Sequence, residues 1–148
     1  MAISTLLRAA IAFAVLLIAQ GDGVPIALGD AVAGELAAGQ EARYIYDGAA
    51  GAAIDVTLRA TGGDWDPVLE IYAPSGELLA FDDDSAGGRD AAVRDLALPV
   101  DGAYVLVVRG YGSRSGGAYT LTLEGVPRRR RRLPAAGRLR LSRWLSGN

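Results

Sequence analysis

Gly102-Ala103-Tyr104-Val105-Leu106-Val107-Val108-Arg109-Gly110 and Gly117-Ala118-Tyr119-Thr120-Leu121-Thr122-Leu123-Glu124-Gly125 are near copies of each other, fifteen residues apart. In both, every second residue is large and apolar: Tyr104, Leu106 and Val108 in the first, Tyr119, Leu121 and Leu123 in the second. That period of two puts the apolar side chains on one face of an extended chain and predicts half-buried β-strands. Two copies are too few for a stacked repeat, so they read as a matched pair of strands in a larger sheet structure.

The same alternation extends toward the N-terminus. In Ala53 to Arg59, Ile54, Val56 and Leu58 share one face, and Asp55, Thr57 and Arg59 the other. Further runs are Ala42 to Tyr46, Val68 to Ala73, Leu78 to Asp82 and Ala92 to Leu98, with a weaker one around Val32 to Leu36. Between them lie Asp47-Gly48, Thr61-Gly62-Gly63, Pro74-Ser75-Gly76, Gly87-Gly88, Asp101-Gly102 and Gly116-Gly117, all turn chemistry. No segment of this body sustains a helical period. About eight short strands, each with one apolar face to bury, predict an all-β fold, an antiparallel β-sandwich of jelly-roll type.

Composition changes at both ends of that body. Of the 148 residues, 15 are basic and 17 acidic; His and Cys are absent, and every cation is Arg. Residues 1–21 carry only Arg8, and Ala9 to Ala19 is an unbroken apolar run, the anatomy of a secretory signal peptide with cleavage expected near Gln20 to Gly23. Eleven apolar residues fall short of the roughly 20 that a permanent membrane span requires. Residues 22–125 hold all 17 acids against six arginines, and residues 126–148 hold the other eight arginines. The reading is a signal segment, one acidic domain and a basic tail, in a secreted, periplasmic or cell-surface protein. With no disulfide available, the core or a bound ion must hold the domain together.

The residue inventory excludes much catalysis. Without His, Cys or Lys there is no imidazole- or thiolate-based nucleophile, no zinc site of the usual ligands and no Schiff base. No Gly-x-Ser-x-Gly elbow occurs, and acidic pairs in turns lack the buried cleft that a glycosidase needs. A non-enzyme is expected.

In order and spacing, several motifs resemble the bacterial pre-peptidase C-terminal domain across residues 27–125. They are Gly34-Glu35-Leu36 with Ala42-Arg43-Tyr44-Ile45-Tyr46, Gly51 ahead of Ile54-Asp55-Val56, and Asp64-Trp65-Asp66-Pro67-Val68-Leu69-Glu70-Ile71-Tyr72. Ser75-Gly76-Glu77-Leu78-Leu79-Ala80, the Asp82-Asp83-Asp84 turn and the two Gly-Ala-Tyr strands complete the set. The resemblance implies a secreted β-sandwich that serves secretion, stability or substrate attachment and does not itself catalyse. The signal-like segment leads directly into the domain, so no peptidase is expected in cis.

Three groups of residues are candidates for function. Asp64, Asp66, Asp82, Asp83, Asp84 and Asp90 place six carboxylates in two Gly-rich loops flanking one hairpin, and hard oxygen donors of this kind suit Ca²⁺. The bland alternative is a solvated acidic turn. The stretch from Asp82 is no EF-hand, because Ala86 and Val93 occupy positions that need oxygen donors, and Gly62-Gly63-Asp64-Trp65-Asp66 does not complete a glycine-rich calcium repeat. Trp65 and Tyr111, each in a glycine-containing loop, could stack on an extracellular polysaccharide or protein partner, or Trp65 could fold back over the sandwich edge. Arg128, Arg129, Arg130, Arg131 and Arg132, with Trp144 farther along, could contact an anionic membrane surface or another polyanion. Specific nucleic-acid recognition is not expected of an exported chain, and the arginine run could instead be solvated or fold back on the acidic body. The leading expectation is a secreted, non-catalytic module for attachment or stability, braced by Ca²⁺ if the carboxylates converge. The alternative is an adhesion or carbohydrate-binding protein using both loop aromatics.

Overall fold

The computed structural model describes residues 23–112 and 114–127. The signal-like segment, the arginine run and Trp144 lie outside the described residues. Among the described residues there is no helix, and none long and apolar enough to cross a membrane.

Nine strands form: β1 (Val24–Pro25), β2 (Ala31–Glu35), β3 (Glu41–Gly48), β4 (Ala53–Gly62), β5 (Pro67–Tyr72), β6 (Leu78–Asp82), β7 (Ala91–Ala97), β8 (Gly102–Gly110) and β9 (Ala118–Gly125). One sheet has the order β1-β3-β8-β5-β6 and the other β2-β9-β4-β7. Apart from β1, successive strands cross from one sheet to the other except at the β5–β6 hairpin, which stays within the five-stranded sheet, and the resulting order is that of a jelly roll. The strand missed by pattern is β1, two residues pairing parallel with β3 through Val24 and Tyr44, because two residues are too short to show any period.

The core follows from the alternation. Ile54, Val56 and Leu58 from β4, Leu121 and Leu123 from β9, and Tyr104, Leu106 and Val108 from β8 are wholly buried, and no polar or charged residue joins them. Each such aliphatic side chain contributes about 1.5–3 kcal/mol on leaving water. Tyr44 of β3 and Tyr119 of β9 meet between the sheets, their hydroxyls 2.7 Å apart. Burial pushes the Tyr119 phenol far above its ordinary range, and the bond to Tyr44 adds to that effect. Burial also raises Tyr44 against the opposing effect of the same bond. The pair therefore stays neutral as a hydrogen-bonded bridge from sheet to sheet.

On the outer face of the five-stranded sheet, one oxygen of Glu70 accepts from Arg109 Nη2 at 2.6 Å and Nε at 3.0 Å, and the other accepts from the Tyr72 hydroxyl at 2.8 Å. Partial burial by itself raises the carboxyl, but the Arg109 and Tyr72 bonds and the Arg109 charge outweigh it and hold Glu70 below its usual range. A depressed carboxyl stabilises the fold above the unfolded value near pH 4.3, and that contribution is lost as pH falls through the folded value. Glu70→Gln is thus expected to cost on the order of 1 kcal/mol at neutral pH. In denaturant titrations over pH, the difference from wild type should vanish once acid protonates Glu70.

Candidate functional site

Antiparallel pairing sends the loop before β5, the loop after β6, the β8–β9 connection and the β2–β3 turn to one end of the sandwich. All six candidate aspartates, Trp65 and Tyr111 lie at this end.

Most of the carboxylates serve the backbone. Asp82 ends β6, and its Oδ2 accepts from Ser85 N at 3.1 Å and from the buried Ala92 amide at 2.7 Å. The Ser85 hydroxyl lies 2.7 Å from the same oxygen and 2.9 Å from the Ala92 carbonyl, its one proton serving both. Ala92 is the second residue of β7 in the opposite sheet, so Asp82 ties the sheets together where the chain crosses over. Asp90 works within one sheet: just ahead of β7, its Oδ1 accepts from Ala60 N of neighbouring β4 at 3.0 Å, beyond the end of the β4–β7 ladder at Leu58 and Ala91. Asp64 pairs with Arg89 across the two loops.

The six-carboxylate calcium set is therefore not assembled as one group. Only Asp82, Asp83 and Asp84 bring ligand oxygens within 4.8 Å of one another among the described residues. Asp66 is held by its backbone, its N–H donating to Ser115 Oγ at 3.2 Å and its carbonyl accepting from Tyr111 N at 2.8 Å. Its Oδ1 is buried with no described protein partner.

The two aromatics part company. Trp65 is only 2% exposed, its indole N–H donates to the Ala118 carbonyl at 3.1 Å, and its ring meets Tyr119 edge-on at 6.1 Å. As a ligand contact Trp65 is corrected: the indole covers the end of the core and has no face left for a sugar or peptide. The residue that makes this possible is Gly117, overlooked as a mere turn glycine. A Cβ there would collide with the Trp65 ring and come within 2.6 Å of the Gly62 carbonyl. Tyr111, by contrast, is 62% exposed. Beside it Gly39, Gln40, Glu41, Arg109, Gly110 and Gly112 line a groove of about 260 Å³, smaller than the roughly 300–1,000 Å³ of small-molecule pockets. Gly110 is fixed by packing, since a Cβ would run into the Ser115 carbonyl. This end is a broad loop surface with one protruding aromatic.

No protein-family profile matches the chain, and no curated protein matches it by sequence. Solved structures do match. The pre-peptidase C-terminal domain of a collagenase from Bacillus anthracis superposes with a TM-score of 0.58 at 23% identity, over 70% of this chain and 95% of that one. PliG of Aeromonas hydrophila, a periplasmic lysozyme inhibitor of g-type lysozyme, superposes with a TM-score of 0.56 at 18% identity, over 70% of this chain and 96% of that one. The motifs that resemble the first of these and the three-dimensional likeness agree on one fold, the β-sandwich of the pre-peptidase C-terminal domain.

Proposed function

We propose that this chain is an exported, non-catalytic attachment module that contacts an extracellular polysaccharide or protein through the loop end carrying Tyr111. The observation that carries the reading is the division of labour at that end: Trp65, Asp82 and Asp90 are committed to the fold, and Tyr111 is left outward beside a shallow groove. Exposed tyrosines supply large contact area at little entropic cost and are enriched at binding hot spots. The absence of His, Cys and Lys argues against imidazole, thiolate or lysine chemistry. The signal-like leader and a fold shared with a protein described as periplasmic support a site of action outside the cytoplasm. The alternative of an adhesion or carbohydrate-binding protein using both aromatics now rests on Tyr111 alone.

The test is saturable binding to immobilised collagen and a panel of cell-wall and capsular polysaccharides. Tyr111→Ala is expected to weaken binding at least tenfold, the effect of a hot-spot side chain, with no change in melting temperature. Failure of every matrix to bind, or binding indifferent to Tyr111, would remove this reading.

Calcium enters the proposal only at Asp82, Asp83 and Asp84, as an added brace. Three carboxylates are fewer than the six to eight oxygens the ion takes, so backbone carbonyls or water must complete its shell. A rise in melting temperature with millimolar Ca²⁺, lost on Asp83→Asn with Asp84→Asn, supports the brace. An unchanged melting temperature eliminates it.

A further inference from the structure

The opposite end of the sandwich has a different character. There β9 finishes at Gly125, and Val126 N donates to the Ala53 carbonyl at 2.9 Å, so the chain leaves the body beside the start of β4. On the outer face of the four-stranded sheet, Asp55 of β4 and Glu124 of β9 sit directly opposite each other, since their neighbours Ile54, Val56 and Leu123 point into the core. Like charges in that relation are destabilising. A third carboxylate is brought up by a bulge, in which Arg94 and Asp95 of β7 oppose Asp55 alone. Asp95 N donates to Asp55 Oδ1 at 2.6 Å, and Asp95 is the one described non-glycine residue with positive φ, 51°. Asp30, Asp47 and Asp101 lie in or next to the loops of the same end, where Asp101 accepts from Ala50 N at 2.7 Å. The cation on this edge is Arg94. The three described ion pairs, of Arg43, Arg89 and Arg109, are all elsewhere.

Leu28 and Val100 are half exposed at this end. Gly125 lies against Leu28, a Cβ there coming 3.3 Å from Leu28 Cδ1. Carboxylates and apolar surface thus flank the point from which Arg128 to Arg132 depart.

We infer that the Arg128–Arg132 segment docks in cis on the acidic face formed by Asp55, Asp95 and Glu124, neutralising the like-charge pair at the end of its own sheet. The reach is sufficient. Five extended residues span about 17 Å, and the two inter-strand steps from β9 across β4 to β7 total about 9.5 Å. Arg128 follows Glu124 by four residues. A tether this short holds the segment at an effective concentration in the millimolar range, so modest charge complementarity suffices. Guanidinium groups pair with carboxylates in two-pronged fashion, which suits a set of clustered acids.

The experiment uses the full chain and a double-mutant cycle. One arm replaces Arg128–Arg132 with Gln, and the other carries Asp55→Asn with Glu124→Gln. At low salt the tail variant is expected to melt several degrees below wild type, and its amide resonances at residues 53–56, 94–96 and 123–126 should move. Both differences should shrink in 1 M salt and in the Asn/Gln background, giving a non-additive cycle. A tail variant with unchanged melting and unchanged resonances at these positions would overturn the inference. So would full-chain binding to phosphatidylglycerol vesicles that depends on the arginines while those resonances stay indifferent to them, which would assign the segment to a membrane surface.

Discussion

Trp65→Ala is expected to destabilise the domain by about 3–5 kcal/mol, the range for removing a large buried aromatic. For a body of about 100 residues, each kcal/mol lowers the melting temperature by roughly 4–8 °C, so the variant should melt on the order of 15 °C or more below wild type. Two terms add. The indole loses its buried area and its edge contact with Tyr119, and truncation leaves the Ala118 carbonyl without the indole N–H. The Gly117 position supplies an independent check. Gly117→Ala leaves the tryptophan in place but drives a methyl into its ring and toward the Gly62 carbonyl, so it too should destabilise, whereas Tyr111→Ala should not. Thermal unfolding of the three variants separates them. A Trp65→Ala protein as stable as wild type but defective in ligand binding would return the indole to the surface.

Asp82→Ala is the second large effect. One oxygen serves two backbone amides and the Ser85 hydroxyl, and Ala92 is buried, so truncation strands a buried N–H at a cost of about 1–3 kcal/mol. The carboxylates of Asp83 and Asp84 accept no described hydrogen bond, the Asp84 carbonyl alone accepting from Gly87 N at 3.3 Å, and substitutions there are expected to stay within about 0.5 kcal/mol in the absence of metal. Asn at position 82 keeps an acceptor oxygen and should recover part of the loss. Denaturant midpoints for Asp82→Ala, Asp82→Asn and Asp84→Ala should rank in that order, the first the least stable. Equal effects of Asp82→Ala and Asp84→Ala would mean that shared charge, and not the Asp82 hydrogen bonds, orders the turn.

Period-two alternation places eight strands within three residues of their ends, the largest difference being β4, which runs on from Arg59 to Gly62, because each buries one face and flips every residue. The same rule says nothing of β1, which has no room for a period, and nothing of pairing partners, which are set by how the two sheets close on each other. At the candidate site the sequence correctly marked an acidic loop cluster but could not tell a carboxylate that caps backbone from one that awaits an ion. The difference at Asp82 depends on Ala92, ten residues away and in the other sheet. The choice between Trp65 as a contact and Trp65 folded back over the sandwich edge is closed to the sequence for a related reason: its burial depends on the missing side chain of Gly117, distant in sequence. The Asp55–Glu124 opposition was invisible until the register of β4 against β9 was known. What could be read was local, and what could not was cross-strand.

The account holds that the loop end is ordered by its own side chains and presents Tyr111 on a rigid frame. Amide hydrogen exchange of the metal-free chain, with chelator present, tests this most directly at Ala92 and Ala60, whose N–H groups are held by Asp82 and Asp90. Both amides are expected to exchange as slowly as the core strands beside them, with Asp82→Ala releasing Ala92. Fast exchange at both positions in chelator, becoming slow only when Ca²⁺ is added, would contradict the account and make the ion the organiser of the site.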